Sequence, residues 1–113
     1  MKKICIVENN EIIIDYFNRL YENQYQLKMM NIEKFKSEVT MCFDKHDKII
    51  VDISRYGGYI EFLNEILINY MGNRKLALLV NNKQKVKLAE LFKMFENLID
   101  PADVKDINAF LIK

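Results

Sequence analysis

The sequence is short of the residues that staple and punctuate small proteins. It holds two cysteines, one histidine, one proline, three glycines and no tryptophan. Two cysteines exclude a disulfide-built scaffold, and so little proline and glycine excludes a collagen-like or linker-like chain. Charge of one sign is missing as well: 17 Lys and Arg stand against 16 Asp and Glu, a net charge of +1. A broad basic surface for nucleic acid is therefore not expected. No apolar run approaches the ~20 residues that span a bilayer, so no membrane contact is expected. Low-complexity stretches, linkers and repeats are also missing, and 113 residues are expected to form one domain over 1–113.

Cys5 and Cys42 stand far apart and in no metal-ligand spacing. They read as buried, reduced thiols, with a disulfide between them the lesser alternative. With His46 the lone imidazole, zinc has little to hold. His46 follows a helical stretch among basic neighbours and reads as a solvated helix end, not a catalytic group. No secretory signal opens the sequence, so the expected location is the cytoplasm.

What is present is alternation. Short apolar runs, Ile4-Cys5-Ile6-Val7, Ile49-Ile50-Val51 and Leu76-Ala77-Leu78-Leu79-Val80, have the continuous character of strands covered on both faces. Tyr25 to Met29 alternates and suits an edge strand; Leu98-Ile99 is a weak fifth run. Between them lie helical stripes: Ile13, Phe17 and Leu20; Ile32, Phe35, Val39 and Cys42 behind an Asn31 cap; Leu63 to Met71, stopped at Gly72-Asn73; Leu88 to Phe95; and Val104 to Leu111 after Pro101. Five strands alternating with five helices imply an α/β fold: a five-stranded parallel sheet, doubly wound. In such sheets function gathers beyond the carboxyl ends of the strands. Those ends are Glu8-Asn9, Asp52, Asn81-Asn82 and Asp100-Pro101.

Taken in order, these pieces resemble the receiver domain of bacterial response regulators. Lys2 to Glu11 resembles the family's first strand and its acidic pair. Asp47-Lys48-Ile49-Ile50-Val51-Asp52-Ile53 resembles the third strand, with an acidic residue set five positions before the phospho-accepting aspartate. Leu76 to Asn81 falls where the fourth strand ends in Ser or Thr, and Leu98-Ile99-Asp100-Pro101 where the fifth ends in Lys followed by a cis-proline. The resemblance covers nearly the whole chain. It implies a flavodoxin-like sheet in the order 2-1-3-4-5, Asp52 as acceptor, and Mg²⁺ held by Glu8 and Asp52, because a carboxylate attacking a phosphoryl group needs a cation to neutralise its oxygens.

The chain departs from that pattern at four places. Asn9 replaces an acid, and Asn81 replaces the hydroxyl with a bulkier amide. Asp100 replaces the lysine, and the segment after Asp52 shrinks to Ser54-Arg55-Tyr56-Gly57-Gly58. At ~5 Å and an effective dielectric of ~20 each unit charge is worth about 3 kcal/mol, so the reversal at Asp100 costs on the order of 6 kcal/mol before screening. The expectation is a pseudo-receiver that binds a protein partner or a second copy of itself and is not an enzyme, with Mg²⁺ weak and no other cofactor. The surface built from the fourth helix onward, carrying Lys87, Lys93, Glu96, Lys105 and Asp106, is the expected interaction face. If Glu8, Asp52 and Asp100 met without a lysine they would repel one another, unless Arg55 or Lys75 paired with Asp52.

Three other readings are weighed beside this one. Ile49 to Ser54 and Val86 to Leu111 also resemble the STAS-type anti-sigma factor antagonists, but that family's Asp-Ser-Ser/Thr-Gly motif has no counterpart at Ile60-Glu61-Phe62-Leu63. A working, Asp52-phosphorylated single-domain regulator is the second. An enzyme with a divalent cation on Glu8, Asp52 and Asp100 is the third, and it lacks a Ser/His or Cys/His partner and a phosphate loop. Gly57-Gly58 reads as a turn or helix start. Lys83, Lys85, Lys87 and Lys93 read first as a solvated helix face and only second as a docking patch.

Overall fold

The structure is a computed structural model that describes residues 1–113. Five parallel strands form one sheet in the order β2-β1-β3-β4-β5, the α/β architecture and strand order expected of a flavodoxin-like fold. By packing, the chain divides into two compact units, Met1–Val51 and Asp52–Lys113.

In the first unit β1 (Lys3–Val7) leads to α1 (Glu11–Tyr21), β2 (Gln26–Met30), α2 (Ile32–Lys45) and the start of β3 (Lys48–Asp52). β1 pairs on one side with β2, Cys5 opposite Lys28, and on the other with β3, Cys5 opposite Ile49. A strand bonded on both sides and covered on both faces has no room for polar side chains, and Ile4 to Val7 are all 0% exposed. β2 sits at the sheet edge, and its alternating burial follows from that position. Asn10 caps α1 by accepting the N–H groups of Ile12 and Ile13, and Asn31 caps α2 by accepting from Lys34 at 2.8 Å. α2 buries Ile32, Phe35, Cys42 and Phe43. Its backbone leaves helical geometry at Glu38 (φ −126°, ψ 20°), a break inside what the apolar spacing predicts as one helix.

The second unit contains α3 (Tyr59–Glu65), a 3₁₀ turn (Leu67–Tyr70), β4 (Leu76–Leu79), α4 (Asn82–Lys87), α5 (Ala89–Phe92), β5 (Leu98–Ile99) and α6 (Val104–Ile112). Two predicted elements are modified here. The helix expected through Met71 turns 3₁₀ after Ile66, whose ψ of −63° follows a φ of −115°. The helix expected over Leu88 to Phe95 starts earlier and is split at Leu88 (φ −123°, ψ 40°) into two short pieces. The apolar stripe survives the split because Phe92 and Phe95 still bury. The last helix starts at Val104 under an Asp103 cap, with Pro101 left in the turn before it. Gly72 makes the predicted stop with a φ of +75°, the left-handed geometry that glycine adopts without strain.

Phe35 is 0% exposed on α2, so Phe35→Ala is expected to lower stability by about 3–5 kcal/mol. Removing the cap with Asn31→Ala is expected to cost about 1 kcal/mol. Urea unfolding of both variants checks the ranking; an inverted order would mean that α2 is held by its end and not by its buried face.

Candidate functional site

The strand ends are where the sequence points, and each unit supplies its own set of polar side chains there. In the first unit Glu8 follows β1 and is buried. Its Oε2 accepts the backbone N–H groups of Asn9 at 3.0 Å and Asn10 at 3.4 Å. Asn9 turns away from any acid-pair role. Its Oδ1 accepts the N–H of Ile32 at 2.8 Å and so completes the start of α2. Asp47, the acid five residues before Asp52, also serves the backbone: its Oδ2 accepts the N–H of Lys3 at 2.8 Å, while its own N–H donates to the Lys3 carbonyl at 2.7 Å.

In the second unit Asp52 ends β3 with its side chain 2% exposed. Oδ1 accepts two hydrogen bonds from one residue, the Ser54 N–H at 2.9 Å and the Ser54 hydroxyl at 2.6 Å. Arg55 approaches Oδ2 at 3.8 Å from a guanidinium that is 58% exposed. Of the two alternatives the sequence offers for Asp52, repulsion from other carboxylates or pairing with Arg55 or Lys75, the contact present is the one with Arg55, beside the Ser54 hydroxyl and amide. The pairing with Arg55 follows from the i, i+3 spacing over the tight turn after the strand, where Tyr56 donates to the Ile53 carbonyl at 3.1 Å.

Asn81 has a helix to hold. It caps α4, its Oδ1 accepting from the Gln84 N–H at 2.9 Å while the Gln84 Oε1 accepts from the Asn81 N–H at 3.0 Å. This reciprocal pair is a capping box. Both amides also reach the loop after β3: Asn81 Nδ2 donates to the Ser54 carbonyl at 2.6 Å, and Gln84 Nε2 to the Ile53 carbonyl at 2.7 Å. Buried carbonyls left unpaired would each cost ~1–3 kcal/mol, so these contacts fix the loop. Asp100 is exposed and accepts the Ala102 N–H at 2.8 Å, shaping the turn that carries Pro101.

Lys87, Lys93, Lys105 and Asp106, the expected interaction face, are all exposed, and Lys93 pairs with Glu90 at 3.1 Å. Sequence reasoning did not foresee the hydrogen-bonding roles of Ser54 and Gln84, nor that of Asp47, which it singles out only by its spacing from Asp52. The first two had a signal: Asp-x-Ser forms a side-chain turn, and Asn-x-x-Gln at 81–84 is a capping-box pattern.

The thiols are the largest departure from expectation. Cys5 and Cys42 are free and buried, yet their sulfurs and a ring nitrogen of His46 all lie within 4.8 Å of one another. His46 ends α2 half-buried, not solvated, and its Nδ1 donates to the Cys42 carbonyl at 2.8 Å. The hydrogen bond between the two sulfurs, followed by burial, pushes the Cys5 thiol well up; the same bond pulls the Cys42 thiol down, making it the more acidic of the two.

No protein-family model, curated protein or solved structure matches this chain.

Because Asp52 accepts two hydrogen bonds, Asp52→Ala is expected to destabilise the protein at pH 7 by about 1–3 kcal/mol. Asp52→Asn keeps one acceptor oxygen and is expected to lose less, and Arg55→Ala, an exposed partner, within about 1 kcal/mol. Urea denaturation resolves the series, and stabilisation by Asp52→Asn would restore the repulsive-cluster picture.

Proposed function

We propose that this chain is a receiver-like signalling module that works by binding a protein partner or a second copy of itself, without accepting a phosphoryl group. One observation carries the reading: the carboxylate at the acceptor position is engaged by Ser54 and Arg55 and shielded from solvent. A nucleophilic carboxylate has to present a lone pair to the donor; here Ser54 engages Oδ1 twice, and Oδ2, 3.8 Å from the Arg55 guanidinium, belongs to a side chain only 2% exposed. The groups that would stabilise the transferred phosphoryl are replaced as well. Asn81 is bound into the start of α4, and Asp100 offers negative charge in place of a lysine. The parallel sheet, opening strand-helix-strand, supports this reading over the anti-sigma antagonist alternative, which opens on strands. No helix is long and apolar enough to cross a membrane, in keeping with a partner met in the cytoplasm. The exposed mixed-charge set Lys87, Lys93, Lys105 and Asp106 is the surface proposed for that partner.

Incubation of the full chain with Mg²⁺ and a small-molecule phosphodonor is expected to leave its intact mass unchanged, and Mg²⁺ with beryllofluoride to leave its melting temperature unchanged, since a ligand that does not bind the native state cannot stabilise it. A near-stoichiometric gain of one phosphate that Asp52→Asn abolishes would overturn the proposal in favour of a phosphorylated regulator. Reversing Lys87 and Lys105 to glutamate together is expected to weaken self-association in sedimentation at low salt; an unchanged dimer would place the interface on another face.

A further inference from the structure

The first unit holds a cavity of about 670 Å³ lined by residues of β1, β2 and α2, among them Lys28, Glu38, Cys42 and His46. Glu38, Met41, Cys42 and Lys45 fall at i, i+3, i+4 and i+7, so a single face of α2 looks into it. Cys5 is on β1 opposite Lys28, another residue of the lining.

We propose that Cys5, Cys42 and His46 form a binding site for a thiophilic transition-metal ion, with Zn²⁺ the ion that suits the donor set. The spacing is the first support. Cys42 lies in the last turn of α2 and His46 follows that helix as its cap, its ring folded back onto the Cys42 carbonyl, and Cys5 meets them from the strand beneath. Their donor atoms lie within 4.8 Å of one another. Around a tetrahedral ion with bonds of ~2.3 Å to sulfur and ~2.0 Å to nitrogen, ligand atoms stand ~3.5–3.8 Å apart, so closure needs movements of about 1 Å or less.

The imidazole is prepared for this role. By donating through Nδ1 to the Cys42 carbonyl, a neutral His46 leaves its lone pair on Nε2, and such a second bond is what fixes the ring of a metal-ligating histidine. Glu38 adds an oxygen donor to the same cavity. Its Oε2 is buried with no hydrogen-bond partner, an unusual condition for a carboxylate oxygen. The backbone break in α2 falls at this residue. Two sulfurs and one imidazole form a set that favours Zn²⁺ over Mg²⁺ or Ca²⁺, with Glu38 bordering the same cavity. Two thiolates neutralise the ion, and Lys28, whose charge acts on both thiols, offsets the charge of Glu38. Access is through the cavity, which reaches Cys42 and His46 directly.

The test uses the full chain, reduced and free of oxygen, titrated with Co²⁺ as a spectroscopic probe and then with Zn²⁺. One equivalent is expected to produce a thiolate-to-cobalt charge-transfer band with the intense visible bands of a tetrahedral site, and Zn²⁺ to abolish both. Loss of outer-shell partners alone weakens metal sites ~10–100-fold, so Cys5→Ser and Cys42→Ser are expected to weaken binding by more than that. His46→Gln, at a half-buried helix end, is expected to weaken it comparably while leaving the far-ultraviolet circular dichroism of the apo-protein unchanged. Zn²⁺ is also expected to raise the melting temperature of the parent chain but not of His46→Gln. The proposal is overturned if no thiolate band appears at one equivalent, or if the bands persist in His46→Gln and Cys42→Ser.

Discussion

Everything at the strand ends follows from one constraint: an apolar strand hydrogen-bonded on both sides has to hand its chain to a loop without leaving buried backbone groups unpaired. β1 is the extreme case, with Ile4 to Val7 wholly buried between β2 and β3. Parallel neighbours cannot be joined by tight hairpins, so each strand ends in a loop that has to turn toward a helix. Loop N–H and C=O groups near the core find no ladder partner there, and side chains serve instead. Glu8 takes the N–H groups of Asn9 and Asn10, Asn9 takes that of Ile32, and Asp52 takes that of Ser54. Asn81 and Gln84 supply donors to the carbonyls of Ser54 and Ile53. Acids and amides at these ends thus hold the loops in shape.

This explains why the fold was legible and the site was not. Continuous apolar runs, a four-residue apolar period, asparagine caps and Gly72 are local signals, and each reported its element because burial of β1, β3 and β4 leaves few other ways to read them. Where the backbone departed from regularity, at Glu38, Ile66 and Leu88, the apolar spacing carried on across the break and concealed it. Side-chain partnership is not local in that sense. The position of Asp52 at a strand end was visible; that Ser54 would turn both of its donors onto one oxygen depends on the loop conformation. Cys5 and Cys42 looked isolated because sequence separation says nothing of a strand lying beneath a helix. Only the i, i+4 relation of Cys42 and His46 could have given notice of the cluster.

Partnership decides how far the two polar networks differ in chemical capacity. At Asp52 both Ser54 hydrogen bonds fall on Oδ1, while Oδ2 has the Arg55 guanidinium at 3.8 Å. The Cys5–Cys42–His46 cluster stands in the opposite condition. Its groups are already gathered within 4.8 Å, Glu38 contributes a buried oxygen with no donor facing it, and the one hydrogen bond His46 makes leaves a lone pair exposed on the other ring nitrogen. The polar side chains at the strand ends serve the loop backbone around them. Those beneath α2 are concentrated and under-used, and a cation is the kind of partner that would satisfy all of them at once.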